Sequence, residues 1–291
     1  MCSFKRSLTA CLLIVLFTFT MVIAPAQAAN RPYRGSVPWS ILLCKFSGSP
    51  DSDRTPAYYR DMFIQAGTGG LNDYWKSVSY NGLNLDGSVV KGWYTISSTA
   101  EEARTELAKE DRDRRKFFNQ CVTAARFSRS DPYQVPDGQP VAVITEPGVD
   151  LWGGSGSAFL PSDVDLGAMG HEVGHGLSLN HSFSDDPNYQ NANWAQIGEY
   201  DDQWDLMSYA NVFATGTAQF GFGGPGLNAY HADRMGWLPL TRILTMGADG
   251  NSAQSISLAA LNHPEASGYL QVRVPFDPSD PFHYYTVEYR Q

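Results

Sequence analysis

The string HEVGHGLSLNH, residues 171–181, constrains this chain more than any other stretch. Residues four apart on an α-helix share a face, so a helix here presents His171 and His175 side by side. His181 can join them only if the helix ends first and the chain turns back. Three of the chain's six histidines fall within these eleven residues. A helix carrying histidines on a solvated face is the competing explanation. Leu166, Met169, Val173 and Leu177, however, form an apolar stripe on the same helix, as burial requires. Three neutral imidazoles suit Zn2+ and leave a fourth position open, the arrangement of a catalytic rather than a structural zinc. Copper or nickel would also bind such a set in vitro. Glu172 adjoins the first histidine and reads as a general base beside the metal, not as a ligand.

Farther on, Met207 follows His181 by 26 residues, within Asp205-Leu206-Met207-Ser208-Tyr209. With these residues the chain resembles the metzincin metalloproteases. Within them it is similar to the gametolysin-like and immune-inhibitor-A-like secreted peptidases, through HEVGHGLSLNH, EYDDQWDLMSY and LNAYHADRMGWL. The likeness is strong over residues 165–240, loose before them, and carries no motif after about residue 250. It implies a zinc endopeptidase acting on protein or peptide substrates, with His171, His175 and His181 as ligands and Glu172 as the base. It also implies a methionine turn in which Met207 packs beneath the metal without ligating it. Tyr209 stands where some members carry a tyrosine that binds the metal or stabilises the oxyanion; a core aromatic is the other reading of it. The family usually has glycine at the position of Ser178. A left-handed backbone costs a non-glycine residue roughly 1–2 kcal/mol. Either Ser178 bears that cost or Asn180, which tolerates the region better, takes the turn.

Two other readings keep part of this picture. One is a zinc hydrolase acting on a non-protein amide or ester; the other is a non-catalytic surface-binding module on a metzincin scaffold. The intact Glu172 argues against the latter, which has no need of a base.

The rest of the chain fits an exported protein. Lys5 and Arg6 precede an apolar run from Leu8 to about Ala24, and Ala26-Gln27-Ala28 offers a cleavage site, so residues 1–28 read as a signal peptide. The run is short for a membrane span, and no stable membrane insertion is expected after cleavage. Removing Lys5 and Arg6 leaves 19 basic against 30 acidic residues, a net charge of −11. Such a balance gives no attraction to nucleic acid. The cluster Arg112, Arg114, Arg115 and Lys116, interleaved with acids, reads as a solvated helix face. Cys44 and Cys121 remain after cleavage, and in an oxidising compartment one disulfide is the economical reading. The rival is a latency thiol on the metal, for which Cys44, inside the apolar run ILLCKF, is poorly placed. Glu199, Asp201, Asp202 and Asp205 could bind calcium, with a solvated acidic loop as the simpler alternative. His231, His263 and His283 have no partner at ligand spacing and read as structural or exposed.

The expected fold class is α+β with an α/β-type N-terminal part. A mixed, twisted sheet with packed helices forms a catalytic domain over 29–245, and a short β-rich extension follows over 246–291. Trp39 to Phe46 and Val141 to Thr145 read as buried strands. Leu83 to Val90 and Trp93 to Ile96 read as a pair after an Asn81-Gly82 turn. Helices are expected over Thr55–Gln65 and Asn72–Ser79, and one long helix over 99–127. Gly148 to Gly156 reads as a loop whose glycines form a cleft rim or are merely flexible. Ser162 with Asp165 reads as a capping pattern opening the histidine helix. Strands are expected over Ser255–Leu261, Tyr269–Pro275 and His283–Arg290.

Overall fold

Continuous apolar runs demand burial on both sides, and the computed structural model gives them that by placing them inside a sheet covered on each face. It describes residues 33–217, 219–247, 253–277, 280 and 283–291, so the signal-peptide reading lies outside the described residues. In chain order come β1 (Gly35–Ser36), β2 (Ser40–Lys45), α1 (Pro56–Phe63), α2 (Leu71–Val78), β3 (Leu83–Asn84) and β4 (Val89–Thr95). Then follow α3 (Ala100–Leu107), α4 (Arg115–Arg126), β5 (Val141–Glu146), β6 (Trp152–Gly154), β7 (Ser157–Pro161) and α5 (Leu166–Gly176). A 3-10 turn at Leu206–Asn211 leads to β8 (Thr215–Thr217), β9 (Gly221–Gly223) and α6 (Ala229–Arg234). The last strands are β10 (Ile243–Thr245), β11 (Gln271–Pro275) and β12 (Tyr284–Val287). The fold is mixed α+β, and no helix among the described residues is long and apolar enough to cross a membrane.

The main sheet is twisted, in the order β4-β2-β5-β7-β6, parallel except for the edge strand β6, which runs antiparallel to β7. Successive residues of β2 point to opposite faces. Ile41 and Leu43 join α1, α2 and α5 in one core, while Leu42 and Cys44 join α3 and α4 in the other. Cys44 and Cys121 form a disulfide in this second core, which removes the latency-thiol alternative. A third, smaller core joins α6 to residues 259–270, beside the sheet β10-β11-β12.

Several expectations need correction. The helix expected over 99–127 is two helices, because no apolar residue occurs between Ala108 and Phe117 to bury a continuous face. The Asp113 carboxylate stops the gap from closing by accepting the N–H groups of Arg115 and Lys116. The strands near 83–96 do not pair with each other. Leu83–Asn84 pairs parallel with β1, and Val89–Thr95 pairs parallel with β2. Gly148–Gly156 is not all loop, since Trp152–Gly154 forms the edge strand and Gly153 lies on a cleft. Near the C-terminus, 255–261 contributes only isolated bridges, Leu258 to Tyr269 and Ala260 to Tyr289.

Candidate metal centre

α5 begins at Asp165, whose carboxylate accepts the Ala168 N–H at 2.7 Å. The Ser162 capping expectation is therefore three residues early; the Ser162 carbonyl instead accepts from Arg54 and Tyr59. Buried Leu166, Met169 and Val173 fix the helix on the sheet, and Gly153 and Gly174 allow close approach. A Cβ on Gly153 would lie 2.1 Å from the Glu172 carbonyl oxygen, so only glycine lets the edge strand β6 touch α5 there. A Cβ on Gly174 would meet Met207 Sδ at 2.7 Å, which places fully buried Met207 directly against the helix.

The helix ends in a Schellman arrangement. Ser178 adopts φ +72°, its N–H donates to His175 O at 3.0 Å, and Leu179 N–H donates to Gly174 O at 2.9 Å. Ser178, not Asn180, therefore takes the left-handed turn that carries the chain back toward His181. Ser178→Gly is expected to keep His181 in place and to raise stability by about 0.5–1 kcal/mol, the steric relief exceeding glycine's unfolded-state entropy. Urea unfolding of the two proteins checks this, and a lower midpoint for the glycine variant would contradict it.

The three histidines converge. His175 Nε2 lies 3.1 Å from His171 Nε2 and 2.9 Å from His181 Nε2. Each Nδ1 faces an acceptor: Leu206 O at 3.0 Å for His171, Leu179 O at 2.9 Å for His175, and Glu199 Oε1 at 2.5 Å for His181. An imidazole that donates from Nδ1 carries its free lone pair on Nε2. Burial, the largest cause, lowers His171 to about 3 and His175 to about 4, so both are neutral near pH 7. Three lone pairs thus point at one place, at separations close to the roughly 3.3 Å that tetrahedral zinc with Zn–N bonds of about 2.05 Å requires. The donor set fits a divalent ion, and it is the only such convergent group among the described residues.

Glu172 is buried beside the first of the three histidines, and its pKa is raised to about 7, chiefly by burial, with Arg114 opposing the shift and Asp150 adding to it. Among the described residues the acidic group before the turn does not converge as a metal-holding set, and while Asp201 and Asp202 stay partly exposed, the other two acids are buried. Glu199 orients His181 and accepts the Gln196 N–H, Asp202 accepts from Trp204 and Asn228, and Asp205 is fully buried. Burial pushes the Asp205 carboxyl up, yet His231 and hydrogen bonds from His231, Ser182 and Asn228 hold it below its usual value. His231 is buried, as a structural histidine should be, while His263 and His283 are exposed.

The cleft over the histidines encloses about 550 Å³, with Arg114, Leu151, Gly153, Trp194 and Tyr200 among its walls. Three wall or orienting residues are new relative to the sequence reading. Arg114 leaves the predicted solvated face and forms a two-pronged pair with Asp150, at 2.8 and 2.7 Å. Glu199 stood in the acidic group, and a carboxylate within twenty residues of a ligand was a usable hint of an orienting partner. Tyr200 lies inside EYDDQWDLMSY but had no role in the sequence reading. Its φ of +67° turns the ring onto His181, centroids 4.3 Å apart, and sets its hydroxyl 3.2 Å from His181 Nε2. The side chain of Tyr209 lies outside the described residues. Compared with known proteins, the sequence matches no protein-family model and no curated protein.

Proposed function

We propose that the protein is an exported zinc endopeptidase of the metzincin type, hydrolysing peptide bonds in protein substrates. The observation that carries this reading is the convergence of three Nε2 atoms next to a buried carboxylate on one helix, at the floor of an open cleft. Zinc, when held by His171, His175 and His181, would supply Lewis acidity, easing the ionisation of water and polarising a carbonyl.

The chain's own residues supply the rest. Glu172 takes a proton from the attacking water and returns it to the leaving amine, and a pKa near the working pH suits both transfers. Tyr200 stays protonated, its pKa raised to about 12 chiefly by burial, so its hydroxyl can donate to the carbonyl oxygen as charge develops there. We give Tyr200 the role that the resemblance gave Tyr209. A polypeptide substrate is favoured over a small amide because β6 is the sheet's edge and borders the cleft. An extended chain can pair with the free backbone groups of such an edge. The Cys44–Cys121 disulfide supports export, since disulfides persist in oxidising compartments.

The test is casein or gelatin digestion by the purified chain, with and without chelator, alongside zinc quantitation. One zinc per chain and chelator-sensitive digestion that added zinc restores are expected. Stoichiometric zinc without cleavage of any unfolded protein would refute proteolysis. The pH dependence follows from Glu172, which must be ionised to act. Activity should fall about tenfold per unit as pH drops below its pKa. A bound cation favours the carboxylate, so that limb should lie below the value of about 7 found without metal. A kcat/KM profile flat from pH 8 to 4 would contradict the assignment.

A further inference from the structure

We infer that Asp205 and His231 are positioning residues for the metal centre. As a buried pair they hold two of the three ligating histidines from outside the ligand set, so that metal affinity depends on a histidine 50 residues beyond the last ligand. The inference rests on the metal-centre reading of His171, His175 and His181, and not on the substrate.

Asp205 is fully buried, with no lysine or arginine paired with its carboxylate among the described residues, and a buried carboxylate must be satisfied by hydrogen bonds. Its donors come from two distant segments. The Ser182 hydroxyl donates to Oδ2, His231 Nδ1 donates to the same oxygen at 2.7 Å, and the Asn228 N–H donates to Oδ1 at 3.2 Å. Ser182 directly follows His181, so the first bond pins the peptide that carries the third ligand. Asp205 directly precedes Leu206, whose carbonyl orients His171 through Nδ1 at 3.0 Å. The Asp205 carbonyl also closes the turn by accepting the Ser208 N–H at 2.9 Å.

One carboxylate therefore ties the backbone beside His181 to the backbone that aims His171. His231 is the donor that anchors this knot to α6, where Asn228 caps the helix and accepts the His231 N–H at 2.8 Å. The Asn228 side chain adds a bond to Ser182 at 3.4 Å. Removing the anchor takes one of three donors from a buried carboxylate and loosens the hold on both ligand-bearing segments, which disfavours the one arrangement in which three lone pairs meet.

The experiment measures zinc affinity by competition with a chromogenic chelator, and the visible absorption of the cobalt-substituted protein, well below each variant's melting temperature. Asp205→Asn and His231→Leu should weaken zinc binding 10–100-fold, as loss of an orienting partner does elsewhere, and should alter the cobalt spectrum. His231→Gln, which keeps an N–H donor, should recover part of the affinity. Asp233→Asn is the control. Asp233 is a second buried carboxylate, also on α6, but it bonds Arg273 and Tyr284 on β11 and β12. Its loss should lower the melting temperature and leave zinc affinity unchanged.

Wild-type affinity and spectrum in Asp205→Asn and His231→Leu would overturn the inference, as would equal weakening by Asp233→Asn. If Asp205→Asn fails to fold, Ser182→Ala takes its place, since it removes only one hydroxyl from the knot. A wild-type chain that took up neither zinc nor cobalt would overturn the metal centre and this inference together. Zinc binding that responds as expected, without proteolysis, would sink only the peptidase reading.

Discussion

Glu172→Gln is expected to lower kcat/KM by about 10²–10⁴-fold while zinc stays bound. Glutamine matches the shape of the side chain but cannot accept the proton of the attacking water. The zinc should stay because the converging atoms are the three histidine Nε2 atoms, whose orienting partners are Leu206, Leu179 and Glu199 and not Glu172. The same substitution has a thermodynamic signature. In metal-free protein the carboxyl of Glu172 is raised from 4.5 to about 7, chiefly by burial. The folded state then holds its proton more tightly than the unfolded state, so the group favours folding at low pH. That advantage is lost as pH rises from about 4.5 to about 7. Chelated wild type should lose on the order of 3 kcal/mol through this one group across that window, by the linkage of pKa to stability. Glutamine does not titrate. The chelated variant should therefore gain on wild type between pH 4.5 and pH 8 in melting temperature, although its activity is lost. Wild-type cleavage by Glu172→Gln would remove the base from the mechanism. Loss of zinc would make Glu172 a ligand instead.

What the sequence disclosed was local. His171 and His175 on one helix, the apolar runs of β2 and β5, and the first two helices depend on neighbours within a turn or a strand, and periodicity carries that information. What it hid was pairing at a distance. The 83–96 segment looks like a hairpin, yet its strands pair in parallel with β1 and β2, which lie earlier in the chain. The split between α3 and α4 could have been read from the interval without apolar residues between Ala108 and Phe117, but charged residues that suit a helix masked it. Of the site, three imidazoles and one carboxylate were legible because they are spaced for one helix and its return. Tyr200 was not, because its place depends on a positive φ at a residue with no preference for it, inside a segment with no regular period. Arg114 looked like its solvated neighbours, and only Asp150, 36 residues later, draws it to the cleft.

Replacing Cys44 and Cys121 together by alanine is expected to cost about 4–5 kcal/mol of stability. On the chain-entropy model, a cross-link between residues 77 apart removes about 4.5 kcal/mol of freedom from the unfolded chain. Both cysteines are fully buried, so the shorter side chains also leave small voids among Phe46, Phe117 and Val143. Against a total stability of about 5–15 kcal/mol, a loss of this size is a large fraction of what holds the fold together. The location decides what else should change. Cys44 points to the α3 and α4 side of the sheet, whereas α5 and Met207 pack on the other face. The double variant should therefore melt at lower temperature and lower urea, yet keep wild-type zinc stoichiometry and wild-type kcat/KM while folded. Two measurements separate this from a regulatory role, namely a urea titration and a rate measured well below the transition. Unchanged stability would mean that the cross-link constrains little. A variant more active than wild type would mean that the cysteines restrain the metal centre after all, as a latency thiol would.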